Sequence, residues 1–325
     1  MKVVLYSKEL GKMYETMKPW LHRDAAGAPL HEYCLADEGD IAEKIAGADV
    51  LVTRPGIVAT NEVIRSDKKL RLLQQWGAGL DGINFDLCRE LGVAVCNTPS
   101  RGTGNAEGVA EIALLHMLLL GRKYAFAREN VLKGRVFSPR GVSLWRKKVC
   151  VVGLGNLGRT ITERLAALGM TVRGVNRSTP SRDRLAEMGV AEFFPITKLR
   201  EAVAGCRFVV SALALNDDTR GIFNMDFFRS MDRDAFFINV ARGALVREDD
   251  LISALNDETI AGAGLDVLEA EPTRPDNPLL THKSVTLTPH VGGNTDESLK
   301  GIFEFIQNNV DRLAKGEELL SRADR

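Results

Sequence analysis

The sequence predicts an α/β protein made of two doubly wound domains, each built on a parallel sheet. Three observations lead to this fold class. The chain has 325 residues, which is long for one domain and comfortable for two at roughly 100 to 200 residues each. Short β-favouring runs alternate with helical patterns along most of it, as expected of β-α-β units. One long helical pattern, at residues 105–122, lies between the two alternating halves.

The first half contains four β-type runs, with helical patterns at residues 41–48 and 61–66. The runs span residues 2–6, 50–53, 71–75 and 93–96. A glycine-rich loop that includes Ala78 and Gly79 follows the third run. In open α/β sheets such carboxyl-end loops face the ligand crevice. The helical pattern that begins at Asn105, placed as its N-cap, reads as a connector between the domains.

The second half opens with a β-favouring run at residues 149–152 that breaks into Gly-Leu-Gly-Asn-Leu-Gly. A helical pattern then runs to about residue 168, and a second β-type run follows at residues 171–175. In this context Gly153 can form the tight turn, Gly155 lets the backbone approach a pyrophosphate, and Gly158 lets helix pack on strand. The helix N-terminus, with Asn156 and Leu157, would direct free N–H groups at the phosphates. A dinucleotide site is therefore predicted here, against the alternative of a merely structural turn.

The end of the next predicted strand distinguishes the two common dinucleotides. An NAD site usually has Asp or Glu about 20 residues beyond the glycines, but this chain has Asn176, Arg177 and Ser178. No carboxylate would repel a 2′-phosphate, and Arg177 offers it charge-assisted donors. NADP is the natural inference. The alternative is NAD, with Asn176 on the ribose and Arg177 merely a solvated surface residue.

The remaining pattern completes the second domain and narrows the partners. Four further β-type runs and a C-terminal helical pattern are predicted at residues 208–212, 235–240, 262–267, 285–288 and 297–313. The 43 basic and 43 acidic residues cancel, so neither nucleic acid nor an anionic membrane is expected as partner. The five cysteines form no C-x-x-C pair, which favours buried thiols over a metal site. With no signal-like or membrane-spanning apolar run, a soluble cytoplasmic protein is expected.

Three stretches that each end a predicted strand carry the most chemistry. They are Asn-Val-Ala-Arg-Gly-Ala-Leu-Val from Asn239, Gly-Leu-Asp-Val-Leu-Glu-Ala-Glu-Pro from Gly264, and Leu-Thr-Pro-His-Val-Gly-Gly from Leu287. Together with the glycine-rich turn, this set resembles the D-isomer-specific 2-hydroxyacid dehydrogenases over nearly the whole chain. Any one stretch alone has an ordinary structural explanation, such as a surface ion pair or a turn residue.

The resemblance implies that Arg242, Glu271 and His290 are the catalytic residues. Reduction of a 2-keto acid needs a proton at the carbonyl oxygen, and an imidazolium suits this step because its unperturbed pKa, about 6.5, lies near working pH. A carboxylate such as Glu271 would favour the cationic imidazole. The guanidinium of Arg242 would bind the keto oxygen and the neighbouring carboxylate of the substrate.

The resemblance also implies further site residues and an organisation of the chain. Asp266 would orient the nicotinamide carboxamide, while backbone N–H groups of Ala78 and Gly79 would bind the substrate carboxylate. Asn105 matches a substrate-contacting asparagine of some relatives, with a plain helix cap as an equal alternative. The implied organisation is a flavodoxin-like substrate domain, residues 1–97 with 296–325, into which a Rossmann cofactor domain, residues 98–295, is inserted. A homodimer is the implied assembly.

The expected function is reduction of a small 2-keto acid, of the glyoxylate or hydroxypyruvate class, with NADP(H). No metal is expected to take part. One alternative is a dehydrogenase of formate-like or phosphite-like donors on the same fold. Another is a nucleotide-sensing binding protein without catalysis, similar to a corepressor.

Overall fold

A computed structural model describes residues 1–54, 59–66, 68–80 and 82–324. The strands of the described residues are β1 (Lys2–Tyr6), β2 (Glu32–Ala36), β3 (Val50–Thr53), β4 (Leu72–Gln75), β5 (Ala94–Cys96), β6 (Lys148–Val152), β7 (Thr171–Asn176), β8 (Val190–Pro195), β9 (Phe208–Ser211), β10 (Phe236–Asn239), β11 (Gly262–Leu265) and β12 (Val285–Leu287). Their helices are α1 (Lys8–Met17), α2 (Ile41–Lys44), α3 (Asn61–Arg65), α4 (Phe85–Leu91), α5 (Asn105–Gly121), α6 (Tyr124–Leu132), α7 (Asn156–Ala167), α8 (Arg182–Glu187), α9 (Leu199–Val203), α10 (Met225–Arg229), α11 (Glu248–Asn256) and α12 (Asp296–Lys315).

The chain divides into two compact units, Met1–Asn105 with Asn294–Arg325, and Ala106–Gly293. The first boundary therefore lies at residue 105 instead of the expected residue 97, and the second lies near the expected residue 296. Residues 98–104 stay with the first unit because Thr98 N–H donates to the Gly77 carbonyl at 2.9 Å. In addition, a Cβ on Gly104 would lie only 2.9 Å from the Ser298 nitrogen. Helix α5 starts at Asn105 itself, so Asn105 is its first helical residue and not the residue before it.

The first unit has a five-stranded sheet in the order β2-β1-β3-β4-β5. All of its strand pairs are parallel, and this is the flavodoxin-like order. One face is covered partly by α12, whose buried side chains recur at helical spacing: Ile302, Phe303, Ile306, Val310 and Leu313. The buried strands lie at the predicted β-type runs, but the edge strand β2 was not predicted, because only Ala36 among its five residues is buried.

A carboxylate on α12 holds the segment between α1 and β2. His22 Nδ1 lies 2.7 Å from one oxygen of Asp311, and His31 Nε2 lies 2.6 Å from the other. Burial acts to raise the pKa of Asp311, but the hydrogen bonds from His31 and His22 outweigh it and lower that pKa below its ordinary value. The pair of imidazoles thus stabilises the ionised carboxylate.

The second unit has a seven-stranded sheet in the order β12-β11-β10-β9-β6-β7-β8. All of its strand pairs are parallel. Counted from β6, the order is that of a Rossmann fold with one added strand, β12, at the edge. Buried side chains cover both faces, with α5 packed on one of them. These two doubly wound sheets confirm the predicted fold class.

Candidate active site

The glycine-rich turn leaves the carboxyl end of β6 next to the point where the strand order reverses. Gly153 has φ 102°, and a Cβ there would lie 2.6 Å from the Ala212 carbonyl oxygen. A Cβ on Gly158 would collide with the carbonyl oxygen of Gly153. Only glycine fits either position, because each has backbone in the place of a side chain. The first turn of α7 therefore packs directly against the strand-end turn.

Gly155, the remaining glycine of the turn, has no backbone close to the position of a Cβ. A Cβ on Gly155 would meet nothing within 4 Å. Gly155 precedes α7, and no side chain caps the N-terminus of this 12-residue helix, which begins with Asn156 and Leu157. An uncapped helix N-terminus beside open space suits a phosphate, since its N–H groups are free donors and the helix dipole favours an anion. The turn therefore fits a dinucleotide pyrophosphate.

The end of β7 lies beside this turn. The Asn176 side-chain oxygen accepts a hydrogen bond from Leu154 N–H at 3.3 Å, and its amide donates to Ser178 Oγ at 3.1 Å. Arg177 is exposed and has no hydrogen-bond or ion-pair partner within the described part of the chain. The ribose end of the predicted site thus presents one guanidinium, one amide and one hydroxyl, and no carboxylate.

Three charged residues follow adjacent parallel strands at the same edge of the sheet: Arg242 after β10, Glu271 after β11 and His290 after β12. His290 Nδ1 lies 2.7 Å from Glu271 Oε2, while Leu268 N–H donates to Glu271 Oε1 at 3.0 Å. An ionised carboxylate only accepts, so Nδ1 of His290 carries the hydrogen. Nε2 is thereby left for another partner. The side chains of His290 and Glu271 are 44% and 38% exposed, so a small molecule can reach them.

Opposing effects act on the Glu271 carboxyl. Burial acts to raise its pKa, but the hydrogen bonds from His290 and Leu268, together with the charges of His290 and Arg242, outweigh burial and lower the pKa. The guanidinium of Arg242 is therefore near enough to act electrostatically on Glu271.

The backbone around Arg242 is held in place by close packing. Asn239 donates from its side chain to the Arg242 carbonyl at 2.9 Å and accepts from Ala241 N–H at 3.2 Å. A Cβ on Gly243 would lie 2.6 Å from the Glu269 nitrogen, so the loops after β10 and β11 touch through backbone. Asn239 was not predicted as a site residue. Its position directly after an apolar run was the available signal, because strand-end polar residues reach the functional edge.

Asp266 is 3% exposed, and its carboxylate is surrounded by donors from the loop that carries the histidine. Thr288 Oγ1 lies 2.5 Å from Oδ1, Val291 N–H donates to the same oxygen at 3.0 Å, and Gly292 N–H donates to Oδ2 at 3.0 Å. The Asp266 carbonyl accepts from His290 N–H at 2.8 Å. Of the roughly four acceptor sites of a carboxylate, residues in the described part of the chain occupy three. One remains for a ligand such as a carboxamide.

The predicted substrate-binding residues outside this edge lie in the first unit. Ala78 is exposed and Gly79 half-buried in the loop after β4, where Asn97 donates to the Ala78 carbonyl at 2.9 Å. The side chain of Asn105 donates to Ser298 Oγ at 3.4 Å. Within the four described ranges, no group of three or more His, Cys, Asp or Glu side chains is arranged to hold a metal ion. None of the helices described above has the length and apolarity needed to cross a membrane.

Comparison with known proteins identifies the same family that the sequence motifs resemble. A family model described as "D-isomer specific 2-hydroxyacid dehydrogenase, NAD binding domain" matches residues 114–292. The glyoxylate reductase/hydroxypyruvate reductase of Mus musculus is 32% identical over 288 residues, which are 87% of this chain and 86% of that protein. The D-3-phosphoglycerate dehydrogenase of Methanocaldococcus jannaschii is 32% identical over 280 residues, 86% of this chain and 52% of that protein. The chain thus spans about half the length of the phosphoglycerate dehydrogenases it matches.

Solved structures share the fold. The NADPH-dependent glyoxylate/hydroxypyruvate reductase of Sinorhizobium meliloti, solved with NADP and sulfate, has a TM-score of 0.81 and 24% identity, covering 99% of this chain and 98% of that one. The family model spans more than half of the chain, and the mouse relative is covered over most of its length. The chain therefore belongs to the D-isomer specific 2-hydroxyacid dehydrogenases, a family of NAD(P)-dependent oxidoreductases.

Proposed function

We propose that this protein reduces small 2-keto acids of the glyoxylate or hydroxypyruvate class with NADPH, and that Arg242, Glu271 and His290 carry the reaction. The observation that supports this most directly is the Glu271–His290 pair at the edge of the Rossmann sheet, 2.7 Å apart and open to a small molecule. The second unit would hold the coenzyme, and the first would supply substrate-binding backbone at Ala78 and Gly79. Asn105 would add a side-chain contact to substrate.

The proton is delivered by His290. With Nδ1–H held by Glu271, the other ring nitrogen, Nε2, faces the substrate and in the imidazolium carries the proton that moves to the keto oxygen. Glu271 keeps the ring oriented and stabilises its positive charge. In the oxidative direction neutral His290 accepts the hydroxyl proton at the same nitrogen.

Arg242 prepares the carbonyl for reduction. Its guanidinium offers up to five donors in a planar fork, which suits a carboxylate and the adjacent keto oxygen together. Charge that develops on the oxygen is stabilised there, so the carbonyl carbon becomes a better acceptor. When bound, the reduced nicotinamide supplies the hydride. Asp266 would accept from the carboxamide of the nicotinamide through its remaining acceptor site.

The coenzyme preference is inferred from the residues beside β7. Gly153, Gly155 and Gly158, with Asn156 and Leu157, would hold the pyrophosphate, as the open space at Gly155 and the uncapped α7 support. Asn176, Arg177 and Ser178 would surround the adenosine ribose. A 2′-phosphate there would find the unpaired guanidinium of Arg177 and no carboxylate to repel it.

A spectrophotometric screen tests the proposal. Glyoxylate, hydroxypyruvate, 3-phosphohydroxypyruvate, formate and phosphite are assayed with both coenzymes, in the direction that each substrate requires. Turnover of glyoxylate or hydroxypyruvate with NADPH is expected. His290→Ala should reduce that turnover by about three powers of ten, the usual scale for a general acid, and leave the Kd for NADPH unchanged. Turnover of formate or phosphite alone, or coenzyme binding without any turnover, would contradict the proposal.

An exposed apolar surface supports the expected homodimer. It is formed by α6 and the segment after it, with exposures of 75% for Val131, 75% for Leu132, 74% for Val136, 104% for Phe137 and 58% for Trp145. Monomeric proteins rarely expose so many large apolar side chains within one short segment. We expect light scattering to give the mass of a dimer, and Leu132→Glu to shift it to that of a monomer. A monomeric mass for the unmodified protein would contradict this.

A further inference from the structure

A buried histidine lies behind the loop that carries His290. His116, in the middle of α5, is 0% exposed. Its Nδ1 is 2.7 Å from Thr286 Oγ1, and its Nε2 is 3.0 Å from Thr288 Oγ1. Thr286 and Thr288 are two residues apart along β12 and its end, so both side chains point to the same side. In the sequence, His116 interrupts an apolar run at residues 112–120.

Space for the His116 side chain depends on a glycine in the strand that faces it. A Cβ on Gly264, in β11, would lie 2.5 Å from the Cβ of His116. The helix therefore packs so closely on the strand that only glycine is tolerated beneath the imidazole. Asp266 directly follows β11, two residues beyond Gly264 and on the same side of the sheet. Helix α5 and strands β11 and β12 together enclose one hydrogen-bonded network, which runs from Thr286 through His116 and Thr288 to Asp266.

The hydrogen atoms of this network have a single consistent arrangement. The Asp266 carboxylate only accepts, so the one proton of the Thr288 hydroxyl is directed to Asp266 Oδ1. Thr288 Oγ1 must then accept from His116, which places a hydrogen on Nε2. Burial lowers the pKa of His116 against the opposing charge of Asp266. The neutral ring therefore accepts from the Thr286 hydroxyl at Nδ1.

From this arrangement we propose that His116 is a positioning residue for His290, acting through Thr288 and Asp266. The inference rests on the proposed function for its catalytic consequence. His116 fixes the Thr288 hydroxyl as a donor to Asp266. Asp266 in turn accepts the N–H groups of Val291 and Gly292 on its carboxylate and that of His290 on its carbonyl.

The backbone of His290 explains why such support is needed. His290 has φ 52°, in the left-handed region that L-residues seldom occupy. A conformation of this kind persists only where its surroundings hold it. The neighbouring residues 288, 291 and 292 are all bonded to one carboxylate, so an error in the position of Asp266 is transmitted to the imidazole that meets the substrate.

Two substitutions of His116 separate positioning from simple packing. The amide nitrogen of glutamine can take the place of Nε2, so His116→Gln keeps the donor to Thr288. Asparagine reaches only the place of Nδ1, so His116→Asn loses that donor. We expect kcat for keto acid reduction to fall about tenfold in His116→Asn, as one lost buried hydrogen bond allows, and less than about threefold in His116→Gln. The Kd for NADPH should change little in either variant. Equal kcat in the two variants would overturn the proposal.

Thr288 supplies a second test of the same hydrogen-bonded connection. Thr288→Val keeps the shape and removes the hydroxyl, and should lower kcat as His116→Asn does. In the Thr288→Val background, adding His116→Asn should cost nothing further, since the hydroxyl that links the two residues is already gone. Additive losses in this double-mutant cycle would show that His116 does not act through Thr288.

Hydrogen exchange distinguishes failure of this inference from failure of the proposed function. The amides of Val291 and Gly292 should exchange at least about tenfold faster in His116→Asn than in the unmodified protein, because weakened bonds to Asp266 open more often. His116→Gln should leave them slow. This readout needs no substrate, so it tests positioning even if no 2-keto acid is reduced. Unchanged exchange in His116→Asn would overturn the proposal.

Discussion

Replacing Glu271 with glutamine should move the pH range of the reaction without abolishing it. A charge pair at about 4 Å is worth about 1 kcal/mol in bulk water and about 4 kcal/mol near a protein surface. The Glu271–His290 pair is half-exposed, so solvent screening places it toward the lower value. Since about 1.4 kcal/mol corresponds to one pH unit, we expect a shift of about one unit.

The sign of the shift follows from the direction of the interaction. Reduction needs the imidazolium, so its rate is high at low pH and is lost as pH rises. The carboxylate stabilises the imidazolium and thereby extends reduction to higher pH. In Glu271→Gln the alkaline limb of kcat/KM for reduction should therefore move about one unit downward. The acid limb of oxidation, which needs neutral imidazole, should move downward by the same amount.

The measurement is the pH profile of kcat/KM in both directions, from about pH 5 to pH 10 so that both limbs are covered. Glu269→Gln is the matched control, because Glu269 is an exposed carboxylate two residues away in the same loop and, among the described residues, its side chain forms no hydrogen bond or ion pair with His290. Its profile should match that of the unmodified protein. A uniform loss at every pH in Glu271→Gln, with both limbs in place, would refute the electrostatic role and leave Glu271 as a ring-orienting residue only.

Three further predictions concern the two units separately. Gly153→Ala should lower stability by more than about 2 kcal/mol, because it adds a Cβ at positive φ against backbone, whereas Gly155→Ala should leave Tm unchanged and raise the KM for coenzyme. Arg177→Ala should reduce the preference for NADPH over NADH about tenfold, the scale of one charge-assisted contact, and an unaltered ratio would count against a 2′-phosphate site. Asp311→Asn should lower Tm at pH 7 and should lower it less at pH 3. Because the folded-state pKa of this carboxyl is lowered, its contribution is present above about pH 4 and is lost as pH falls through the folded pKa; an equal loss of Tm at both pH values would disprove the linkage.

The buried parts of both sheets were predictable from the sequence because continuous apolar runs mark strands that are covered on two faces. The strands β6, β9 and β10 begin and end within about a residue of their predicted bounds. The edge strand β8 was missed, since it is only partly buried and carries Glu192. Helix α6 was also missed, because its exposed apolar side chains give no amphipathic period. Neither an edge strand nor an exposed apolar helix shows the regular alternation of apolar and polar residues from which elements were predicted.

The active-site residues were predictable to the extent that a strand end identifies them. Arg242, Glu271 and His290 each follow a predicted β-type run, and parallel strands bring such ends to one edge. The buried hydrogen bonds that hold these loops in place were not predictable. Nothing in the spacing of His116 and Thr288, 172 residues apart, indicates that they meet. Their contact depends on how α5 crosses β11 and β12, which only packing determines.

The same geometry explains why Asp266 can be both a structural and a ligand-binding residue. Its carboxylate is buried at the end of β11, where an unpaired charge would be costly. Three donors from residues 288, 291 and 292 compensate that cost and, in doing so, fix the segment on which His290 lies. All three partners are donors, so asparagine could not replace the aspartate without turning an N–H group against another N–H group. The charge at residue 266 is thus required by the loop itself, and a coenzyme that used the last acceptor site would bind to a group already held in place by the protein.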